Sequence, residues 1–508
     1  MSANPLSNLL DGQEQGSYSS QRMGILEIGS NSIRLVVYEG SGRVPSPLFN
    51  EKVLCGLGAE MRQTGSLSEA GCSLATVNIA RFTELARKMQ LSSFQVIATA
   101  ALRDARNGKT FVKKLKDQFG FPIKILTGQA EAKLSALGAI SAFPKLDGIV
   151  ADLGGGSLEL INVREGEIRN QISLPLGVLR FEPLTETSRW DIQQIIDDNL
   201  LKVPWLSCFN GKSLFAVGGA WRNLARMHMH SIQYPLQIIH GYRIMGVPAR
   251  TFLNNICTSQ ITTLEKMGGI SKKRINGVPV SALILKTMLE LGESKNIIFS
   301  AFGLREGCVY ERLSIKEQNQ DPLIISCKKI AFNSQRFSLI DSELENWLLP
   351  LFTHIDSDDK RLLKAICILS DFAWVNHPSY RGEQAFLKVL RIPSVGLNHE
   401  DRVFMALAVL ARYNGNINIP VAEHWRSTIS VQRAHLALKI GVVIRLGVTL
   451  CAGLSGILKK IQLVKSQDGI KITYPPEMES INGYAVSRRL EHLEKIFNCI
   501  VTFRSYKV

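Results

Sequence analysis

The sequence predicts an α/β protein of two related lobes followed by an all-helical C-terminal domain, and three observations carry that prediction. Two strand–turn–strand segments of one design, GILEIGSNSIRLVVY from Gly24 and GIVADLGGGSLELINV from Gly148, lie about 125 residues apart. Around them, apolar β-prone runs alternate with helical patterns, the order that builds α/β layers. After about Arg312 the glycine turns thin out and long helical patterns take over.

Taken in order, the polar, Ser- and Gln-rich residues 1–21 read as a mobile tail without the basic and apolar regions of a signal peptide. The first lobe is expected over 22–140. It opens on the first hairpin, continues with a helix over 68–90 whose Leu74, Val77, Phe82, Leu85 and Met89 are expected to share the core face, and returns as a strand at FQVIATA, 94–100. The second lobe is expected over 141–312, with the boundary falling between 312 and 330. The helical domain then fills 313–508. Its apolar stretch 434–458 is broken by Lys439 and Arg445, so it reads as a buried helix and no integral membrane segment is expected.

Sixty Lys and Arg against 44 Asp and Glu leave a formal charge of +16 on 508 residues, which favours a polyanionic partner. A basic surface alone names no ligand. No helix-turn-helix, zinc-finger spacing or aromatic-studded basic run accompanies it, so nucleic acid is not the expected partner. The nine cysteines include no C-x-x-C pair, which removes zinc knuckles and thioredoxin-type redox chemistry and points to core thiols in a reducing, cytoplasmic setting.

The chemistry concentrates in the two hairpin turns. Gly29, Ser30, Asn31 and Ser32 can direct backbone N–H groups and hydroxyls to one point, a nest for phosphate oxygens or simply a hairpin turn. Gly154, Gly155, Gly156 and Ser157 make the stronger case, because three consecutive glycines are entropically costly unless the backbone must approach a ligand. Asp152 and Glu159 flank that loop, and paired carboxylates beside a phosphate nest are the donors Mg²⁺ takes.

The segments LEIGSNS, ATAALRDARNG, TGQAEAKLSALGA, DLGGGSLEL, SLPLGVLRF, IIHGYRI and FSAFGLREG, in this order, closely resemble the signature segments of the exopolyphosphatase and guanosine pentaphosphate phosphohydrolase family, within the actin, Hsp70 and sugar kinase superfamily. The resemblance runs from Gly24 to about Arg312. It implies two ribonuclease H-like lobes with the active site in the cleft between them, a degenerate HD-like C-terminal domain, a cytoplasmic homodimer, and Mg²⁺-dependent hydrolysis of terminal phosphoanhydride bonds. Inorganic polyphosphate is the expected substrate and guanosine pentaphosphate the alternative. A catalytically idle polyphosphate-binding protein and an ATP-binding actin-like protein are the readings from other classes.

By the same resemblance Glu131, in Gly-Gln-Ala-Glu-Ala-Lys, is the base that orients and deprotonates the attacking water; on its own it would read as a helix-start carboxylate. Arg103 is the cleft arginine that binds phosphoryl oxygens, against a plain ion pair with Asp104 or Glu84. Asp152, Glu159 and Glu27 are the metal-associated acids, and Gly218 with Gly219 is either a cleft-floor pair or a structural turn. The family usually has aspartate where Glu27 stands and a second acid where Ala130 stands. The lysine and arginine clusters at 113–116, 272–274 and 459–460 line a chain path or are solvated faces. In the C-terminal half, His377 and His399-Glu400-Asp401 lack the adjacent His-Asp pair of a working HD site, so no second metal centre is expected.

Overall fold

The computed structural model describes residues 22–506 except 41, 182–184, 186–187, 335, 338–339 and 394–395. The expected N-terminal tail lies outside them. The chain forms two compact units that divide between Thr127 and Gly128.

The first unit holds strands β1 (Arg22–Ile28), β2 (Ser32–Glu39), β3 (Ser46–Leu54), β4 (Ser93–Ala98) and β5 (Ile123–Ile125), in the sheet order β3-β2-β1-β4-β5. The β1–β2 and β2–β3 pairs are antiparallel, whereas β4 and β5 join in parallel. Each parallel step needs a helical crossover, supplied here by the helices Glu69–Lys88 and Gly108–Phe119. The first of these starts at Ser68, whose hydroxyl accepts from the Gly71 N–H at 3.4 Å.

That helix corrects the expected core face. Phe82 is buried, but the stripe is completed by Gly71, Ala75, Ile79 and Ala86, while Leu74 and Val77 are 44% and 69% exposed. Small side chains at helical spacing let the helix lie close to its neighbours, and large ones would hold it off. Leu85 and Met89 pack against the core beside Phe82 as expected, so the large apolar residues mislead only at Leu74 and Val77.

The second unit contains β6 (Gly148–Leu153), β7 (Leu158–Arg164), β8 (Glu167–Leu174), β9 (Ser213–Val217), β10 (Arg243–Met245) and β11 (Asn296–Phe299), in the order β10-β11-β9-β6-β7-β8. Read from its other edge, this sheet repeats the first. An antiparallel β6–β7–β8 meander adjoins the parallel neighbours β9 and β11. The helix Gly128–Ala142 covers one face with Ala132, Ala136 and Ala139 against Val150 and Ile161. A cut at residue 140 assigns this helix to the first lobe, yet its packing belongs to the second sheet.

After Leu313 the chain builds another core, centred on the helices His399–Asn414 and Val431–Cys451. The latter is long and apolar enough to cross a membrane, but 67% of its apolar window is buried inside the protein, as a core helix requires. The C-terminal region is helical but not all-helical. Strands β12 (Gln462–Ser466), β13 (Gly469–Tyr474) and β14 (Val501–Ser505) form a three-stranded sheet, with Ile470, Ile472 and Tyr474 buried on one face. Their signal is Asp468-Gly469 between alternating apolar residues, a hairpin pattern.

The helix Leu304–Tyr310 lies against Gly128–Ala142 through glycine, since a Cβ on Gly307 would run into the Leu134 carbonyl oxygen. Gly307→Ala is therefore expected to cost about 1–3 kcal/mol through overpacking, read as a lowered Tm. An unchanged melting curve would show that the helices can separate freely.

Candidate active site

The two hairpin turns are built identically. The Gly29 N–H donates to the Ser32 carbonyl at 2.9 Å, and the Gly154 N–H donates to the Ser157 carbonyl at 2.9 Å. A second segment then ties each turn down by its carbonyls. In the first unit the Asn31 oxygen accepts from the N–H groups of Cys55 and Gly56 at 3.0 Å each, and the Ser30 oxygen from Gly58 at 2.7 Å. In the second, Gly154 O accepts from Val178 at 3.2 Å, Gly155 O from Leu179 at 2.9 Å, and Gly156 O from the Arg180 Nε.

With the carbonyls so engaged, the N–H groups of Ser30, Asn31, Gly155 and Gly156 have no acceptor among the described residues. Consecutive amide dipoles of this kind form an anion nest. The tying segments must come close. A Cβ on Gly58 would sit 3.3 Å from the Ser30 oxygen, and one on Gly177 would collide with the Gly155–Gly156 backbone.

Beside the second turn, three carboxylates converge. Asp152 on β6 stands directly opposite Glu159 on β7, and Glu159 directly opposite Ser173 on β8, so the three share one sheet face. Ser173 Oγ donates to Glu159 Oε1 at 2.8 Å, and Ser135 Oγ donates to Asp152 Oδ2. Glu131 is buried in the first turn of Gly128–Ala142, one helical turn before Ser135. Burial, then the charges of Glu131 and Asp152, push the Glu159 carboxyl well above the usual carboxylate range, while the hydroxyls of Ser157 and Ser173 pull the other way. Such crowding is relieved by a proton or by a cation.

Gly218, with φ +106°, closes on the other side of Asp152: a Cβ there would lie 3.1 Å from Oδ1 and against the Leu153 carbonyl. It directs the N-terminus of the helix Gly219–Ser231, with its partial positive charge, to the same neighbourhood.

In the first unit, Glu27 on β1 stands opposite Arg34 on β2 and also beside its turn, with Oε1 3.8 Å from the position of a Gly29 Cβ. The internal repeat superposes Glu27 on Asp152 and Arg34 on Glu159, so one hairpin carries an acid–base pair where the other carries two acids. Arg103 ends the short helix Ala100–Asp104; its Nε donates to Asp104 at 3.0 Å and its Nη1 to the Leu126 carbonyl at 3.2 Å. Glu84 pairs instead with Arg87, at 2.5 Å.

The structure thus brings together Glu131, Asp152, Glu159 and the 154–157 loop in the second unit, and groups Glu27 with the 29–32 loop in the first. Among the described residues no three His, Cys, Asp or Glu side chains form a ready metal cage. The donor chemistry nevertheless suits a hard divalent cation, since Asp152 and Glu159 offer only oxygen and such cations complete their shells with water and phosphate. Ser135, Ser173 and Arg180 were not among the expected residues. All three lie inside the segments TGQAEAKLSALGA and SLPLGVLRF that carry the resemblance.

Elsewhere, Lys113, Lys114 and Lys116 lie on an exposed helix face, Lys272 pairs with Glu265 at 3.7 Å, and Lys459 with Glu343 at 3.7 Å. The Lys273 side chain lies outside the described residues. His377 accepts from the Ser379 N–H at 3.3 Å and stacks on Tyr380. His399 is buried, with Tyr234 Oη at 3.0 Å and the His240 carbonyl at 3.3 Å; burial and then the Arg402 charge hold its pKa down to about 4, against the opposite pull of the His240 carbonyl. Asp401 is taken by Arg433 at 2.7 Å.

A model of the Ppx/GppA phosphatase family matches residues 35–316, and one of the exopolyphosphatase C-terminal region matches 343–503. Among relatives, Retrograde regulation protein 2 of Saccharomyces cerevisiae is 26% identical over 81% of this chain and 76% of its own length. Exopolyphosphatase 1 of Mycobacterium tuberculosis is 24% identical over 58% of this chain and 88% of its own. Among solved structures, an exopolyphosphatase from Cytophaga hutchinsonii aligns with TM-score 0.52 at 23% identity, covering 57% of this chain and 97% of its own, and supports the α/β fold of the N-terminal part.

Three crowded carboxylates cost stability that a neutral isostere returns. Glu159→Gln, measured with a chelator present, is expected to raise Tm by about 2–4 °C. A fall in Tm would show that the Glu159 charge is already compensated.

Proposed function

The chain belongs to the Ppx/GppA phosphatase family, whose members are phosphoanhydride hydrolases, and from that premise we propose that it releases orthophosphate from the ends of inorganic polyphosphate. The observation that carries this reading is the 154–157 turn, whose tied carbonyls leave donors facing outward beside Glu131, Asp152 and Glu159. Phosphoryl transfer needs little covalent participation by the protein. It needs a positioned water and donors for the phosphoryl oxygens.

In this reading Glu131 accepts the proton of the attacking water. Its burial in a helix's first turn limits competing water. The amides of Gly155 and Gly156 receive phosphoryl oxygens without desolvating a full charge, and the 29–32 turn is of the same construction. Within the first unit, Arg103, already oriented by Asp104 and Leu126, offers a guanidinium suited to phosphoryl oxygens. Asp152 and Glu159 are the side chains of the second unit that would hold Mg²⁺. A bound Mg²⁺ neutralises phosphoryl charge and steadies the leaving group. Ser135 and Ser173 orient the two acids of the second unit.

Glu131→Ala is expected to lower turnover of long-chain polyphosphate by ~10² or more with chain binding retained. Activity that survives this substitution would remove Glu131 from the role of base. Guanosine pentaphosphate, as the alternative substrate, calls on the same groups, so orthophosphate release from the two substrates is the deciding comparison.

A second reading, polyphosphate binding without turnover, draws on the relative that spans both halves of this chain, which is named as a regulation protein rather than as a phosphatase. Equal inactivity toward both substrates at saturating Mg²⁺ would select it. A cytoplasmic location is supported by cysteines that form no disulfide among the described residues, most of them buried, and the homodimer rests on the family resemblance.

A further inference from the structure

We propose that Arg361, in the C-terminal region, is a positioning residue for the active site: through Gly396 it holds the helix Gly128–Ala142, and with it Glu131, in axial register. The proposal rests on the reading of Glu131 as the base.

That helix is smooth. Ala132, Ala136 and Ala139 face the second sheet, and Gly138 meets the Gly303 carbonyl where a Cβ would collide. Small side chains allow close approach but give few ridges to lock a helix against sliding along its axis, so its ends must set the register. At the first end Gly128 lies against Ser173, the partner of Glu159, with no room for a Cβ. At the other end the Ala142 carbonyl, one of those a helix leaves over, accepts from the Gly396 N–H at 2.8 Å.

Gly396 stands at φ +75°, where glycine is favoured, and its own carbonyl is held in turn. Arg361, on the helix Ser357–Ile368, donates Nη1 to that carbonyl at 2.9 Å and closes the rest of its fork on Asp321, with Nη2 2.8 Å from Oδ1. Asp321 is itself fixed, because its carboxylate caps the helix Pro322–Phe332 by accepting from the Leu323 N–H at 2.8 Å. A bidentate pair anchored in this way sets direction as well as distance.

The residues after Gly396 are seated on the same part of the fold. The Leu397 carbonyl lies against Gly241, and His399 reaches the His240 carbonyl. His240 Nδ1 accepts from the Ala301 N–H at 3.4 Å, two residues before Gly303, whose Cβ position is 3.6 Å from Asp152 Oδ2. The C-terminal region therefore touches both the helix that carries Glu131 and the turn that backs Asp152. Ser135 reaches Asp152 from that same helix, so a slide of about 1 Å would part them and carry Glu131 off the line of attack, a misplacement that costs about 10²-fold in rate.

The test compares Arg361→Gln with Arg336→Gln, which breaks a similarly exposed ion pair, to Asp371, apart from this brace. Two quantities are read on the full chain: orthophosphate release from long-chain polyphosphate at saturating Mg²⁺, and amide hydrogen exchange across residues 128–142. Arg361→Gln is expected to lower kcat at least tenfold with KM within twofold, and to speed that exchange at least fivefold. Arg336→Gln is expected to do neither, whatever it does to Tm. Unchanged exchange or unchanged kcat in Arg361→Gln, or equal effects of the two variants, overturns the proposal. An unaltered protein that releases no orthophosphate sinks the reading of the site instead, and exchange alone then decides whether Arg361 holds the helix. Should Arg361→Gln not fold, Gly396→Ala, whose Cβ would crowd Arg361 Nη2 at 2.9 Å while leaving Asp321 untouched, is expected to lower kcat at least threefold, and full turnover there overturns the proposal equally.

Discussion

The rest of the candidate site depends on one device, the tying back of turn carbonyls so that turn amides are left over. A hairpin turn ordinarily spends its N–H groups on its own closure or on water. Here one closing bond, Gly29 to Ser32 or Gly154 to Ser157, sets the turn, and a neighbouring segment then occupies its outward carbonyls. Neither Gly58 nor Gly177 could carry a larger residue without pushing the turn away. The amides thereby become fixed dipoles, which stabilise charge without reorganising when it arrives. Each unit contains such a turn at the same place in the same sheet order, so the device belongs to the repeated part of the fold.

What the repeat does not preserve is charge. The first hairpin sets Glu27 across from Arg34, a pairing that is favourable across strands, whereas the second sets Asp152 across from Glu159 with Glu131 nearby. A sheet does not place three acids together for stability. Ser135, Ser157 and Ser173 ease the arrangement with hydroxyls, but they supply no positive charge. The unbalanced hairpin is therefore where a cation and a phosphoryl group have most to gain, and the balanced one is better suited to holding than to reacting.

The hairpins were legible in the sequence because strand, turn and strand are consecutive and their glycines are conspicuous. Glu131, Asp152 and Glu159 were identified as acids near a phosphate loop, but the depth of Glu159 was not, since burial there depends on β8 and on Gly128–Ala142 closing over it. Ser135 and Ser173 are ordinary residues in their own segments. Only the register of three strands and a helix gives them partners. On the helix Glu69–Lys88 and its C-cap, Phe82, Leu85 and Met89 face the core as expected, whereas close packing selected glycine and alanine over Leu74 and Val77. The missed β12–β14 sheet had a readable turn at Asp468-Gly469, overshadowed by the long apolar helix before it.

The fate of His399-Glu400-Asp401 shows how the C-terminal region has used residues that in another setting would be metal ligands. His399 is held neutral, enclosed by Tyr234, Tyr242 and the His240 carbonyl, all contributed by the chain just before β10. His240 is driven further in the same direction, to about 3, by burial and the charges of Arg402 and His399. The buried neutral imidazole of His399, with both ring nitrogens engaged, joins two cores through hydrogen bonds that a metal would break. Asp401 has likewise been turned outward to Arg433, which Asp359 shares at 2.9 Å. The helices are therefore fastened to the preceding chain through His399, a residue that in another setting would bind metal.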